Sequence, residues 1–251
     1  GDPVLVSWGG SMFEYLMPLL IMPTYEKTLL DQTYKAVVER QIDYGSQRGV
    51  PWGISESGYN TFDVQMNYQY RAFGVPGLGF RRELADDLVI APYAAVMALM
   101  VAPEKACANL QRMVEYGFQG RYGFYEAVDY TPSRLARKQS APVFGRMSPM
   151  SAGAGAKSAG ESANAVVRSN MTHHQGMSFL SLAYLLLNQP MQRRLKSNPL
   201  FQATELLLRE RIPKTALIHL RSLDDSNLAQ VSQEQAVPFS VFRTANTTIP
   251  E

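Results

Sequence analysis

The decapeptide APYAAVMALM, residues 91–100, carries no charge and almost no polar surface, so it needs neighbours on every side. Pro92 falls where the first turn of a helix accepts a proline, and the run predicts a buried helix. The segments around it are helical by period. In TLLDQTYKAVVERQIDYG, Leu30, Tyr34, Val37, Val38 and Ile42 share one face, and Gly45 falls where a C-cap glycine is expected. CANLQRMVEYG repeats the pattern with Leu110, Met113 and Val114. GMSFLSLAYLLLNQP is apolar around most of its circumference and ends at Asn188 and Pro190. NPLFQATELLLRERIP opens on Asn198 as cap and Pro199 in the first turn, with a stop at Pro213. SMFEYLMPLLIMP reads as a helix interrupted by Pro18. No alternating run demands a sheet, and no repeat is visible. Helices apolar on more than one side occupy the inner layer of a double-layered helical array, so the expected class is all-α.

Composition removes several functions. The 251 residues are 46% hydrophobic and 18% charged, with a formal net charge of +2. Such a chain buries a sizeable core and presents no strong field to nucleic acid or an anionic membrane. One cysteine, Cys107, permits neither an internal disulfide nor a cysteine-based zinc cluster. The adjacent His173 and His174 point apart on a helix, so no metal site and no cofactor are expected. Gly1-Asp2-Pro3 has no signal-peptide character, and the longest apolar run, from Leu88, is short and proline-interrupted for a membrane span. FGVPGLGFRR lacks the Lys-Ser/Thr ending of a phosphate loop and reads as close-approach turns; Arg81 and Arg82 either hydrogen-bond sugar hydroxyls or pair with Glu83, Asp86 and Asp87, with pairing favoured for at least one. HHQGMS contains no nucleophile elbow of the G-x-S-x-G kind, and its histidines either line a polar pocket or cap the helix.

The non-helical stretches are rich in rings. GVPWGISESGYN (49–60), NYQYRAFGVPGLGFRR (67–82) and GRYGFYEAVDYTP (120–132) combine Gly and Pro turns with Trp, Tyr, Phe, Arg and acids. Surface loops spend aromatic rings where they bind something, and three such loops between helices can converge on one end of a helical barrel. Two glutamates, Glu56 and Glu126, sit in these loops, each near glycine and tyrosine. Glycoside chemistry needs such a pair: one carboxyl protonates the leaving oxygen, and the other attacks or activates water. An aromatic, partly dry setting favours the neutral acid, while the bland alternative is a solvated or ion-paired loop residue. Residue types alone reach a helical glycan-processing domain with two loop glutamates and stop there.

The strings SWGGSMFEYLMPLL, VPWGISESGYN, NYQYRAFGVPGLGFRRELADDLVIAPYA, GRYGFYEAVDYTP and HHQGMSFLSLAYLL, in that order, resemble the glycoamylase-like domain of bacterial cyclic β-1,2-glucan synthases, relatives of the endo-β-1,2-glucanases. That resemblance implies an (α/α)6-barrel, a toroid of which residues 1–235 form the C-terminal part, with 148–165 as a flexible loop and 236–251 as an exit tail. Seven or eight helical segments fall short of the twelve in a complete barrel, so an incomplete part of one is expected. The resemblance further implies transglycosylation of linear β-1,2-glucan into a ring with retention, Glu126 acting as general acid/base and Glu56 as nucleophile. Trp52, Tyr59, Asn60, Tyr68, Tyr70, Arg71, Tyr122, Tyr125, His173, His174 and Gln175 become the glucan-contacting set, and Asp129 orients Tyr125 or caps the next helix. It implies glucosyltransferase and phosphorylase-like regions in the same parent, no nucleic-acid partner, and a place on the cytoplasmic side of the bacterial inner membrane. The alternatives are an inverting endo-β-1,2-glucanase and a non-catalytic glucan-binding fragment.

Overall fold

The computed structural model describes residues 4–139 and 164–209. Eight α-helices run in order through them: α1 (Met12–Leu16), α2 (Leu29–Gln47), α3 (Pro92–Met97), α4 (Pro103–Glu115), α5 (Pro132–Gln139), α6 (Thr172–Leu186), α7 (Pro190–Lys196) and α8 (Pro199–Thr204). Five of them, α3, α4, α5, α7 and α8, begin with proline, whose fixed φ and missing N–H suit a first turn. As expected, Pro18 ends α1 and starts a short 3₁₀ turn, and Asn198 caps α8 through its side chain, which accepts from the Leu200 N–H at 2.9 Å. The anticipated stop at Pro213, the 148–163 part of the glycine-serine segment and the 236–251 tail lie outside the described residues.

The all-α expectation needs correcting, because the aromatic loops contain strands. β1 (Ser57–Phe62) and β2 (Tyr68–Arg71) form an antiparallel hairpin, with Ser57 opposite Arg71 and Gly58 opposite Tyr70. β3 (Val89–Ile90), β6 (Ala127–Asp129) and β7 (Ala165–Val167) make a three-stranded antiparallel sheet with β6 in the middle. β4 (Gln119–Gly120) and β5 (Gly123–Phe124) close a tight hairpin. Most are two to four residues long and the six-residue β1 does not alternate in burial, which is why periodicity missed them. The helical character of the chain is otherwise as read.

The core gathers α1, the inner face of α2, α3 and both sheets' inner residues. Ile90, Val37, Met97, Met113 and Phe118 are fully buried, and residues 91–100 are enclosed almost completely. The GMSFLSLAYLLL helix behaves differently. Met177 and Ser181 are buried, but Phe179 and Leu186 on α6 are 70% and 71% exposed, since no described residue covers that face. Gly45 is likewise not a C-cap. It lies inside α2, and a Cβ there would stand 2.7 Å from Trp52 Cβ, so the glycine lets the 50–52 segment lie against the helix.

Candidate active site

Residues 52–56 belong to no strand, and no strand pairs with them. Two buried side-chain amides take that role. Gln41 of α2 donates to the Ile54 carbonyl at 2.7 Å and accepts from its N–H at 2.8 Å. Asn109 of α4 does the same for Trp52, donating at 2.8 Å and accepting at 3.1 Å. The Gly53 carbonyl takes the Ala91 N–H at 2.8 Å, and the Ile54 carbonyl takes that of Met12 at 3.1 Å. Four elements thus clamp the run that delivers Glu56, pairing both backbone groups of Trp52 and Ile54 and the Gly53 carbonyl.

Ser55 and Tyr93 complete the clamp. Buried Ser55 accepts from the Phe13 N–H at 2.9 Å, and the Tyr93 hydroxyl lies 2.8 Å from both Ser55 Oγ and the Glu56 carbonyl. The Tyr93 ring also stacks on His174, with centroids 3.6 Å apart and planes 9° from parallel. Burial first, and then the neighbouring Tyr70, Glu56 and Glu126, push the Tyr93 phenol well above its ordinary range, outweighing the bond to Ser55. It is a neutral hydrogen-bond donor.

Glu126 precedes β6 and is 2% exposed. Its own N–H reaches the Ser169 carbonyl at 3.0 Å, and its carboxyl has two partners. The Gly58 N–H donates to Oε1 at 3.1 Å, and His174 Nδ1 stands 2.9 Å from Oε1 and 3.1 Å from Oε2. His174 is wholly buried on the first turns of α6, which settles the sequence alternative in favour of the pocket. Its Nε2 is 3.3 Å from the Tyr70 hydroxyl, which donates to Glu56 Oε2 at 3.1 Å. The two glutamates, 70 positions apart in sequence, are therefore joined by a single side-chain chain through Tyr70 and His174. Burial, the charge and hydrogen bond of Glu56, and the charge of Glu126 raise the Tyr70 phenol well above its usual value. Burial and the adjacent His174 lower the His173 pKa from its ordinary value, outweighing the opposite pull of Glu126 and Glu56.

Behind the hairpin an ion network fixes the sheets together. Arg134 of α5 reaches Asp129 (2.6 Å through Nε) and Asp87, and Arg71 meets Asp87 at 2.6 Å. Asp129 also takes the Thr131 and Asn60 N–H groups at 2.9 and 3.0 Å, which ties the residue before α5 to the β1 strand. Asp87 pairs with Arg71 and Arg134, not with Arg81; Arg81 instead donates to the Ala72 carbonyl at 2.9 Å.

A cavity of about 300 Å³ opens at Glu126, lined by Tyr93, Tyr125, His174 and Gln175 together with Phe124, Phe179 and Leu182. Of the expected glucan-contacting residues, Tyr125, His174 and Gln175 line it, and Tyr70 and His173 stand at the Glu56 end. The others lie elsewhere. Trp52, 6% exposed, belongs to the core. Tyr59 packs edge-on against Phe73 with Arg71 and Arg134 over its ring, and Asn60 serves the Asp129 network through its backbone. Tyr68 packs on Phe62, and Tyr122, at the tip of the β4–β5 hairpin, is 80% exposed. Sequence reading missed Gln41, Asn109, Ser55 and Tyr93. The two amides had a visible signal, since each is a polar residue on the buried side of an amphipathic helix. Among the described residues, no group of three or more His, Cys, Asp or Glu is placed to hold a metal ion.

Residues 1–199 match the Glycoamylase family, described as "Putative glucoamylase". The chain belongs to this family. Within it, the chain is 42% identical over 210 residues to the cyclic beta-(1,2)-glucan synthase NdvB of Rhizobium meliloti (strain 1021), a match covering 84% of this chain and 7% of that much longer protein. Among solved structures, the endo-beta-1,2-glucanase of Chitinophaga pinensis, in complex with sophorotriose and glucose, aligns with a TM-score of 0.47 and 16% identity. That alignment covers 80% of this chain and 41% of the other. No helix among the described residues of this Glycoamylase-family chain is long and apolar enough to cross a membrane.

Proposed function

We propose that the chain carries the glycan-processing centre of a cyclic β-1,2-glucan synthase, breaking and remaking β-1,2-glucosidic bonds by transglycosylation with retention. One observation carries this reading: a buried glutamate, Glu126, faces an aromatic cavity and is linked through two side chains to a second, more open glutamate, Glu56. The family and the relative's printed name supply the substrate class; the geometry supplies the two carboxyls such chemistry needs. In this reading Glu126 protonates the departing glucosyl oxygen while Glu56 attacks the anomeric carbon. Glu126 then takes the proton of an incoming glucan hydroxyl, whose oxygen displaces Glu56. The rings of Phe124, Tyr93 and Tyr125 give the apolar face of a sugar a surface to lie against, which favours a sugar hydroxyl over water as acceptor. The glucosyltransferase and phosphorylase-like regions, the partial (α/α)6 barrel and the cytoplasmic face of the inner membrane belong to the same proposal.

The test is product analysis by mass spectrometry on linear β-1,2-glucan. Cyclic or length-redistributed products are expected, falling by about 10²–10⁴-fold in Glu126→Gln, the usual worth of a general acid. Shorter linear products alone would replace the transglycosylase with an inverting glucanase. Binding of the glucan with no conversion would leave a binding module.

A further inference from the structure

The chain of contacts between the glutamates imposes a proton count. Three links join four groups: Glu56 to Tyr70 at 3.1 Å, Tyr70 to His174 at 3.3 Å, and His174 to Glu126 at 2.9 Å. Each link needs one proton between its heavy atoms. A neutral phenol brings one and a neutral imidazole brings one. The third comes from a protonated glutamate at one end, or from an imidazolium flanked by two carboxylates. With neutral His174, the carboxyl proton has two homes. If Glu126 holds it, the order of donation runs Glu126 to Nδ1, Nε2 to the phenol oxygen, and the phenol to Glu56. If Glu56 holds it, every arrow reverses.

We propose that Tyr70 and His174 are positioning residues that form a proton relay, through which Glu56 and Glu126 share one carboxyl proton so that ionising either favours the neutral form of the other. The step balances. The Glu126 O–H bond breaks as His174 gains a proton on Nδ1; His174 loses the one on Nε2 to the Tyr70 oxygen; Tyr70 passes its own proton to Glu56. One proton has moved from Glu126 to Glu56, Tyr70 is unchanged, and His174 has exchanged tautomers. His174 is well placed to conduct it. Its ring is wholly buried and fixed by the parallel Tyr93 ring, so it cannot turn to solvent. The raised phenol of Tyr70 keeps the middle of the relay neutral. The titratable groups facing His174 are Glu126, Tyr70, Tyr93 and His173, with Glu56 one bond further. Tyr93 presents its ring face to His174 and spends its hydroxyl on Ser55 and the Glu56 carbonyl. His173, whose Nε2 lies 3.4 Å from the Tyr70 hydroxyl, is the one side branch.

This inference rests on the proposed roles of the glutamates and deepens them. Retaining transfer requires one carboxyl neutral and the other ionised at the same moment, and the relay holds the pair in that state.

The test is carboxyl ¹³C NMR titration of the full chain with ¹³Cδ-labelled glutamate, the Glu126 signal being assigned from its loss in Glu126→Gln. In the wild type, Glu56→Gln should displace the Glu126 titration midpoint by about one pH unit, the scale at which two sites titrate as a pair. In a Tyr70→Phe background, which removes one hydroxyl and keeps the ring, the same substitution should move it by no more than about a third as much. An equal displacement in both backgrounds would mean that the carboxyls sense each other's field directly, and it would overturn the relay. No displacement in the wild type would do the same. Glucan conversion is read separately. Tyr70-dependent coupling without conversion sinks the proposed function and leaves the relay. Conversion without such coupling sinks the relay and leaves the function.

Discussion

Asn109 and Gln41 act on residues 52–54 as a neighbouring strand would, each pairing one backbone N–H and one carbonyl. Truncating Asn109 would strand two buried backbone groups at once, whereas without Gln41 the Ile54 carbonyl still holds the Met12 N–H. Asn109→Ala should therefore lower stability by about 2–3 kcal/mol in thermal or urea unfolding, well beyond the loss of one ordinary hydrogen bond. Because Trp52 lies four residues before Glu56, the same variant should reduce turnover more than it weakens glucan binding, which steady-state kinetics would separate. At this scale the sequence was partly legible. Glu56 and Glu126 stand out as acids among rings, and the structure brings their loops together. Trp52 misled because a tryptophan in a glycine-rich loop looks like a sugar platform, while here it fills the groove left by Gly45. Nothing in composition distinguishes a ring that faces a ligand from one that faces a helix.

α1 shows how much a five-residue helix depends on its first turn. Ser11 accepts from the Glu14 N–H, and Glu14 reaches back to the Ser11 N–H at 2.9 Å and to the Gly9 N–H at 2.8 Å, a complete capping box. Burial works against the Glu14 carboxylate, but the bonds from Ser11, Gly9 and Ser7 outweigh it and hold its pKa below the ordinary value. The folded state therefore binds this proton less readily than the unfolded chain. The stabilisation is complete above the usual glutamate range and is lost as pH falls through the depressed value. Ser11→Ala should cost about 1 kcal/mol and flatten the acid side of the stability–pH curve. A second element-level device lies opposite. The Gly9–Gly10 backbone passes directly against Gly74 and Gly79, and a Cβ on Gly74 would collide with the Gly9 carbonyl. Gly74→Ala should prevent native folding at ordinary temperature, visible as lost near-ultraviolet dichroism. Helices were readable in the sequence because period and proline agreed at their starts; the short strands were not, since pairing partners far apart in sequence define them.

At the scale of the molecule, the two sheets and α5 are bolted together by Arg134, with Asp129 wholly buried and Asp87 nearly so. Arg134→Met keeps the bulk and removes the charge, leaving Asp129 with its backbone donors alone and Asp87 with Arg71. A loss of about 3 kcal/mol is expected in chemical denaturation, since breaking a buried pair strands its partner. Alkaline stability has its own marker. Burial, with a smaller contribution from Tyr184, pushes the Tyr34 phenol up to about 12. An unfolded tyrosine ionises near its ordinary value of 10.0, so between the two the native state holds a proton that the unfolded chain releases. Melting temperature should drop across that window, and Tyr34→Phe should lessen the drop. The glycine contact has a kinetic side as well. Ser7 bridges Gly79 in parallel, and the Ser7, Trp8 and Gly10 carbonyls receive the Phe80, Arg81 and Val75 N–H groups. None of those bonds exists until the intervening chain has closed into a long loop, whose entropy is spent before any of them forms. During refolding, amides at both ends of that loop should gain protection from hydrogen exchange together, in one late phase rather than in sequence order.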